Sequence, residues 1–211
     1  MTPPPYPRTP RLVDEWDAWA GRRVDVEEKL DGANVALWWQ DGSPQVMGRG
    51  GPDAMDRGGQ LGRLRAWAAE HREQLAALCA GERVAYGEWV WRRHGVAYDR
   101  LPDLLIVLDL WLPTTGFVET ATRDRVCASL GLHPPPSFAT THLLTGLDDA
   151  ARFIGVSRWG SDVMEGIVVR DGNGRRAKVV RPGYRQRSDD SWARRGPEAN
   201  LRPRGGAAPN P

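Results

Sequence analysis

Short strand-like segments joined by tight turns occupy residues 23–49, and this pattern most limits the folds available to the chain. RVDVEE (23–28) alternates between apolar and polar residues, and ANVALWWQ (33–40) is rich in residues that favour strands. The turn DGSP (41–44) then leads into QVMGR (45–49), as expected for a hairpin. Strands with such short connections run antiparallel, because parallel strands need a long crossover.

The rest of the chain alternates between helical and strand-like segments. Helices are predicted at 60–80, 119–131 and 147–155. Further strands are predicted at 83–91, 104–112, 164–170 and 175–181, the last two joined by the turn DGNG. Strands with tight turns and helices between them predict an α+β domain built on antiparallel sheets.

Composition argues against several classes of protein. The two cysteines, Cys79 and Cys127, and the four scattered histidines give neither zinc-binding spacing nor a disulfide framework. The opening MTPPPYPRTPRLVDEW lacks the apolar core of a signal peptide, and no apolar run approaches the roughly 20 residues of a membrane span. We therefore expect a soluble, cytoplasmic protein.

A segment rich in Pro, Gly and Arg follows the last predicted strand. From Arg181 to Pro211, seven arginines stand against three acidic residues, a net charge of +4 in a chain whose total is +2. The sequence predicts a domain at 1–184 and a mobile basic tail at 185–211. Such a tail either contacts nucleic-acid phosphates or only increases solubility, and the sequence leaves both open.

The choice of basic residues is the strongest chemical signal in the sequence. Of 29 basic residues, 27 are arginine and only two, Lys29 and Lys178, are lysine. A guanidinium stays protonated, whereas an amine can lose its proton and act as a nucleophile. Lys29, in EEKLDGANVAL (27–37), is therefore a candidate for covalent chemistry.

Charged residues also interrupt segments that otherwise read as structural strands. Lys29 closes the first strand, Glu88 lies in YGEWVW, Asp109 in IVLDLW, Glu165 in EGIVVR and Lys178 in AKVVR. Each of them alone has an ordinary structural explanation. Together they place two amines and three carboxylates on apolar frames, which is costly unless the charges face a shared polar cleft.

In order, KLDG, GEW, LDLW, EGIVVR and AKVVR resemble motifs I, III, IIIa, IV and V of the covalent nucleotidyltransferases, which include DNA ligases, RNA ligases and mRNA capping enzymes. Within them the chain, from Tyr6 to Tyr184, is similar to the ATP-dependent RNA ligases of the second phage type and their bacterial relatives. Asn34 after motif I, the loop RRHGVAYDRLPD and the opening YPRTPRL carry that narrower resemblance.

The resemblance implies the nucleotidyltransferase fold and a role for each matching residue. Lys29 would attack the α-phosphorus of ATP and carry AMP, with a pKa lowered by nearby cations and metal. Lys178 would contact the α-phosphate, and Glu88 the ribose. The implied catalytic residues are Lys29, Asp31 and Lys178. The implied nucleotide-binding residues are Glu28, Asn34, Arg49, Glu88, Leu108 and Arg181. The implied ligand of Mg²⁺ or Mn²⁺ is Glu165.

Two features depart from the family pattern. Related RNA ligases stack an aromatic side chain on adenine at the position that Leu108 occupies here. DNA ligases and capping enzymes carry an OB domain after motif V, whereas the 33 residues after Lys178 are too few for one. We therefore expect a catalytic domain with no OB domain.

The resulting hypothesis is an ATP-dependent RNA ligase that joins a 5′-phosphate RNA end to a 3′-hydroxyl through lysyl-AMP. A kinase or phosphatase that heals RNA ends is a possible partner. One alternative is a minimal DNA ligase or another nucleotidyltransferase, including one that uses GTP. The other is a catalytically inactive nucleic-acid-binding module, against which the retention of both lysines argues.

Overall fold

The computed structural model describes residues 2–51, 59–172, 174–184 and 199–200. These residues form an α+β fold with two antiparallel sheets, which confirms the predicted fold class. The helices are a 3-10 turn at Leu12–Glu15 and α1 Trp16–Trp19, α2 Gln60–Glu70, α3 Arg72–Leu78, α4 Thr120–Leu130 and α5 Leu147–Ala151. The strands are β1 Arg23–Lys29, β2 Ala33–Gln40, β3 Ser43–Gly48, β4 Val84–Trp89, β5 Leu105–Leu112, β6 Gly116–Phe117, β7 Ser137–Leu143, β8 Gly166–Arg170 and β9 Arg176–Val180.

The two sheets divide the chain between them. The first has the order β7-β1-β8-β9, and the second the order β3-β2-β4-β5-β6. The connection from β1 to β2, residues 30–32, passes from one sheet to the other. Because the connection crosses between the sheets, both sheets contribute to the space around it. The connection belongs to the predicted motif I.

Each sheet packs its apolar face against its own helices. Leu64, Trp67, Leu75 and Leu78 of α2 and α3 pack on the second sheet. On the first sheet, residues such as Leu12 and Trp19 pack against Val24, Val26 and Ile167. Burial of these apolar side chains stabilises each layer, and the polar residues between the layers are left to face each other.

The predicted helix at 60–80 is two helices. The backbone leaves the helical region at His71, with φ −103° and ψ 24°, and α3 begins at the next residue. The His71 ring stacks on Trp67 with 4.1 Å between ring centroids, and its Nδ1 lies 2.8 Å from the Trp67 carbonyl oxygen. Hydrophobic spacing continues across the break, so the pattern alone could not show it.

Strands β6 and β7, the 3-10 turn and α1 were not predicted from the sequence. β7 lies at the edge of the first sheet, pairs only with β1, and leaves most of its residues partly or fully exposed. It therefore lacks the apolar alternation that marks a half-buried strand. The predicted strands and hairpins elsewhere are confirmed to within two residues at their ends.

Most of the predicted basic tail lies outside the described residues, as does 52–58 of the glycine-rich loop. Of the tail, Ala199 and Asn200 are described. The Asn200 side chain donates to the Val90 carbonyl oxygen at 2.7 Å and accepts from the Tyr98 amide at 3.0 Å. No helix among the described residues is long and apolar enough to span a membrane.

Candidate active site

A polar cleft of about 310 Å³ lies between the two sheets, beside the β1–β2 connection. It is within the size range of small-molecule sites. Eight of the ten predicted site residues line it: Glu28, Lys29, Asn34, Arg49, Glu88, Leu108, Glu165 and Lys178. Asp31 and Arg181 do not line it.

Strand pairing in the first sheet brings three of these residues together. Lys29, the last residue of β1, pairs with Gly166, so the preceding Glu165 lies beside the lysine. On the other side of β8, Lys178 of β9 pairs with Val168. Residues far apart in sequence therefore meet because β8 lies between β1 and β9.

Gly32 couples the second sheet to motif I. Its amide donates to Glu88 Oε1 at 3.0 Å. A Cβ at this position would lie 2.7 Å from the Trp89 carbonyl oxygen, closer than van der Waals contact allows. The glycine of KLDG is required here because β4 passes directly against it.

Lys29 forms an ion pair with Glu165, with 3.0 Å between Nζ and Oε2. Burial lowers the pKa of Lys29, but the neighbouring carboxylates, led by Glu165, outweigh burial and raise the pKa above its ordinary value. Without nucleotide or metal, the pKa of Lys29 is therefore raised, and the lowering expected from nearby cations and metal stays a prediction. A lysine this close to a carboxylate is held as the ammonium.

Lys178 has the opposite electrostatic environment. Burial lowers its pKa below the ordinary value, and repulsion from Lys29, Arg49 and Arg11 adds to the effect, while Glu165 opposes it. The two lysines of the chain therefore face one cleft with pKa values shifted in opposite directions. Arg49 is exposed on the loop after β3, at the rim of the cleft.

Glu88 is a buried carboxyl whose pKa is raised to about 7, chiefly by burial. It binds more protons in the folded than in the unfolded protein between pH about 4.5 and 7, so it lowers stability as pH rises through that window. We expect Glu88→Gln to stabilise the nucleotide-free protein at pH 8 by up to about 3 kcal/mol, and by much less at pH 5.5. The glutamine keeps an acceptor for the Gly32 amide.

Urea unfolding at the two pH values measures this difference. Glu70→Gln, at an exposed position on α2, is the matched control and should change stability little at either pH. A Glu88→Gln effect of equal size at pH 5.5 and 8 would contradict the shifted titration.

Asp31 is buried and holds a neighbouring loop. Its Oδ2 accepts hydrogen bonds from the amides of Gly95 and Val96, the latter at 2.8 Å. Its own amide donates to the Tyr98 hydroxyl at 2.8 Å. Asp31 thus fixes the loop RRHGVAYDRLPD against motif I, and its predicted catalytic role stays a prediction.

The other predicted nucleotide-binding residues differ in their surroundings. Glu28 Oε2 accepts from the Arg158 amide at 3.0 Å, and burial raises the pKa of Glu28. Asn34 Nδ2 donates to the Gly87 carbonyl oxygen at 3.4 Å. Arg181 follows β9 and lines a separate cavity that shares Lys178 with the cleft.

The cleft has an aliphatic side chain at the position where the resemblance leads us to expect an aromatic one that stacks on adenine. Leu108 and Val168 line it from the two sheets. Of the Phe, Tyr and Trp side chains in the described residues, only Tyr6 contributes to the lining, and Arg176 lies over its ring at 4.2 Å. Among these residues, no free aromatic face replaces the expected stacking partner.

A buried ionic network forms the base of the cleft, and sequence analysis singled out only one of its members, Asp109. Arg170 Nε lies 2.6 Å from Glu27 Oε2, and its Nη1 lies 2.7 Å from Asp109 Oδ1. Arg123 of α4 also pairs with Glu27, and the Tyr6 hydroxyl donates to Asp109. Asp109 of motif IIIa therefore joins the sheets rather than lining the cleft.

The two-residue period of a strand could have found part of this network. Glu27 and Lys29 lie on one side of β1, and Arg176 and Lys178 on one side of β9. Starting from the two lysines, this rule places Glu27 and Arg176 toward the cleft, which both line. No comparable signal points to Tyr6 or Arg123.

The carboxylates of the cleft fit one mode of divalent-metal binding. The described residues contain no group of three or more acidic, His or Cys side chains able to hold an ion. Mg²⁺ commonly uses one or two carboxylates and completes its shell with water and substrate phosphates. Glu165 and Glu88, near each other at Lys29, suit that mode, with Glu165 the predicted ligand.

Comparison with known proteins identifies a family for this chain. The family model described as RNA ligase matches residues 22–181. Comparison with curated protein sequences gave no match.

Solved structures of a Naegleria gruberi RNA ligase share the fold. A mutant with ATP and Mn aligns at TM-score 0.64 and 17% identity, over 84% of this chain and 56% of that one. The same ligase with PPi aligns at TM-score 0.63 and 17% identity, over 82% and 54%. The chain thus spans about half the length of these proteins.

Proposed function

The chain belongs to the RNA ligase family, and on that premise we propose that it is an ATP-dependent RNA ligase that forms lysyl-AMP on Lys29. The main support for this proposal is that both lysines of the chain line one cleft together with Glu165 and Glu88. A phosphate-binding site alone would not need lysine, because arginine binds phosphate at least as well.

In the first step, the neutral Lys29 amine attacks the α-phosphorus of ATP. A P–N bond forms, the bond between the α-phosphorus and the bridging oxygen breaks, and pyrophosphate leaves in line with the attack. Lys29 must first lose the proton that Glu165 stabilises. Repulsion from the Lys178 cation favours that loss.

In the second step, an oxygen of the RNA 5′-phosphate attacks the same phosphorus, the P–N bond breaks, and Lys29 recovers its amine. In the third, the RNA 3′-hydroxyl attacks the 5′-phosphorus and AMP leaves. A divalent cation held by Glu165 supplies charge neutralisation for the phosphates. The proposal of ATP and a divalent metal is supported by the ATP and Mn named for the related Naegleria ligase.

The same proposal includes the substrates, the partner and the location of the enzyme. Its substrates are RNA ends bearing a 5′-phosphate and a 3′-hydroxyl, and a kinase or phosphatase that restores such ends is the partner we propose. From the sequence, the proposed location is the cytoplasm.

The test is a sealing reaction with purified protein, ATP and Mg²⁺ or Mn²⁺. A 5′-labelled RNA strand at a nick should become phosphatase-resistant and join its neighbour, while an all-DNA nick should be sealed far more slowly. Faster sealing of DNA would support a minimal DNA ligase. Use of GTP in place of ATP would support another nucleotidyltransferase, and RNA binding without any covalent step would support an inactive binding module.

A further inference from the structure

A second cavity, of about 360 Å³, shares Lys178 with the cleft and continues from it along β9. Three cations line it, Arg11, Lys178 and Arg181, and Asp148 is the one carboxylate among its lining residues. We call this cavity the basic groove. Its other surfaces include Leu147, Ala151 and the Tyr184 ring.

The backbone fixes both arginines beside the reaction centre. The Lys178 amide donates to the Pro10 carbonyl oxygen at 2.9 Å, and Arg11 forms a parallel bridge with Lys178. The Arg181 amide donates to the Glu165 carbonyl oxygen at 3.0 Å. Arg11 lies in an N-terminal segment that the family model, which begins at residue 22, does not cover.

Neither arginine is neutralised by a carboxylate within the described part of the protein. Arg11 is exposed, and no carboxylate of a described residue pairs with it or with Arg181. The Arg181 guanidinium lies over the Tyr184 ring at 5.1 Å, and its Nε is buried without a hydrogen-bond partner among the described residues. A buried donor without a partner is costly, and a phosphate oxygen would satisfy it.

We propose that the basic groove binds backbone phosphates of the RNA strand that carries the 5′-phosphate. This inference rests on the proposed function, because the 5′-phosphate must reach the α-phosphorus held beside Lys29 and Lys178. The strand behind that phosphate must then leave the cleft. The groove adjoins the cleft at Lys178 and offers two further cations along the way.

The triphosphate of ATP is the other source of phosphate for this groove. Pyrophosphate leaves the α-phosphorus on the side opposite Lys29, and the RNA 5′-phosphate attacks it from that same side. Both groups therefore occupy the same region of the site in turn. The two sources differ in which reaction depends on Arg11. If the groove binds RNA, RNA binding depends on Arg11. If the groove binds the triphosphate, formation of lysyl-AMP depends on Arg11.

The experiment compares the full chain with Arg11→Ala for binding of a 5′-phosphorylated oligoribonucleotide, by fluorescence anisotropy over a range of salt concentrations. We expect binding to weaken about five- to tenfold, and the slope of log K against log salt to fall by about 0.7 for each phosphate that the variant no longer neutralises. Arg11→Lys should recover part of the affinity. Arg65→Ala, at an exposed position on α2, is the matched control and should bind within about twofold of wild type.

Labelling by α-labelled ATP on the same preparations separates the outcomes. Wild-type affinity for RNA in Arg11→Ala overturns the proposal, as does weakened labelling with unchanged RNA binding, which would assign the groove to the triphosphate. If wild type is not labelled but Arg11→Ala still weakens RNA binding, the ligase function fails and the groove stands. Equal thermal unfolding of Arg11→Ala and wild type shows that the variant is folded.

Discussion

Lys29→Arg protein will take up no label from α-labelled ATP, although it keeps the positive charge beside Glu165. The guanidinium stays protonated and cannot attack phosphorus, so we expect labelling to fall by on the order of 1,000-fold or more, as for loss of a covalent nucleophile. Lys29→Ala should be equally inactive. A denaturing gel after incubation with ATP and either Mg²⁺ or Mn²⁺ measures the covalent product.

The two-lysine composition makes this result easy to interpret. Label on wild type that is released by acid but survives denaturation identifies a phosphoramidate, and peptide mapping need separate only Lys29 and Lys178 among the lysines. Arg65→Ala should label like wild type. Persistent label in Lys29→Ala would move the nucleophile elsewhere, and no label on folded wild type would remove the covalent mechanism.

Glu27→Gln will lower the free energy of unfolding by about 3–5 kcal/mol, because it removes the buried carboxylate that two buried arginines share. Glu27 and Arg123 are each 1% exposed, and Arg170 is also buried. The amide of glutamine can accept a hydrogen bond but cannot compensate two guanidinium charges. Urea unfolding at pH 7 measures the loss.

The pH dependence of the same variant provides a second readout. Burial raises the pKa of Glu27, but Arg170 and Arg123 outweigh burial and hold that pKa below its ordinary value. The stabilisation by Glu27 is therefore complete above the unfolded-state pKa of about 4.5 and disappears as pH falls through the lower folded-state pKa. The deficit of Glu27→Gln should shrink at the acid end of the measurable range. A deficit below about 1 kcal/mol at pH 7, or one no larger than that of Glu70→Gln, would show that the network contributes little.

The ionic network explains how a cleft full of charge is held between two sheets. Glu27 and Arg170 come from the first sheet, Asp109 from the second and Arg123 from α4. Removing one partner of a buried pair costs more than the pair contributes, since the other charge is left uncompensated. The base of the cleft is therefore sensitive to single substitutions at positions outside the predicted site.

The sequence by itself determined most of the strands, their antiparallel arrangement and eight of the residues that line the cleft. Alternation, strand-favouring residues and turn sequences are local properties, so β1, β2, β8 and β9 could be predicted from neighbouring residues. The retention of only two lysines marked Lys29 and Lys178, and both line the cleft. Asp31 and Arg181, predicted by the same motifs, do not line it, because a motif does not state which way a side chain points.

Only the tertiary structure decided the electrostatics. Coulomb energy depends on the distances between charges, and the carboxylate that raises the pKa of Lys29 lies 136 positions away in sequence, 3.0 Å away in space. Arg11 and Arg181 likewise meet at Lys178 only because the N-terminal segment runs beside β9. Local sequence patterns specify strands and their faces, but the distances that set proton affinities and open the basic groove exist only once the sheets are packed.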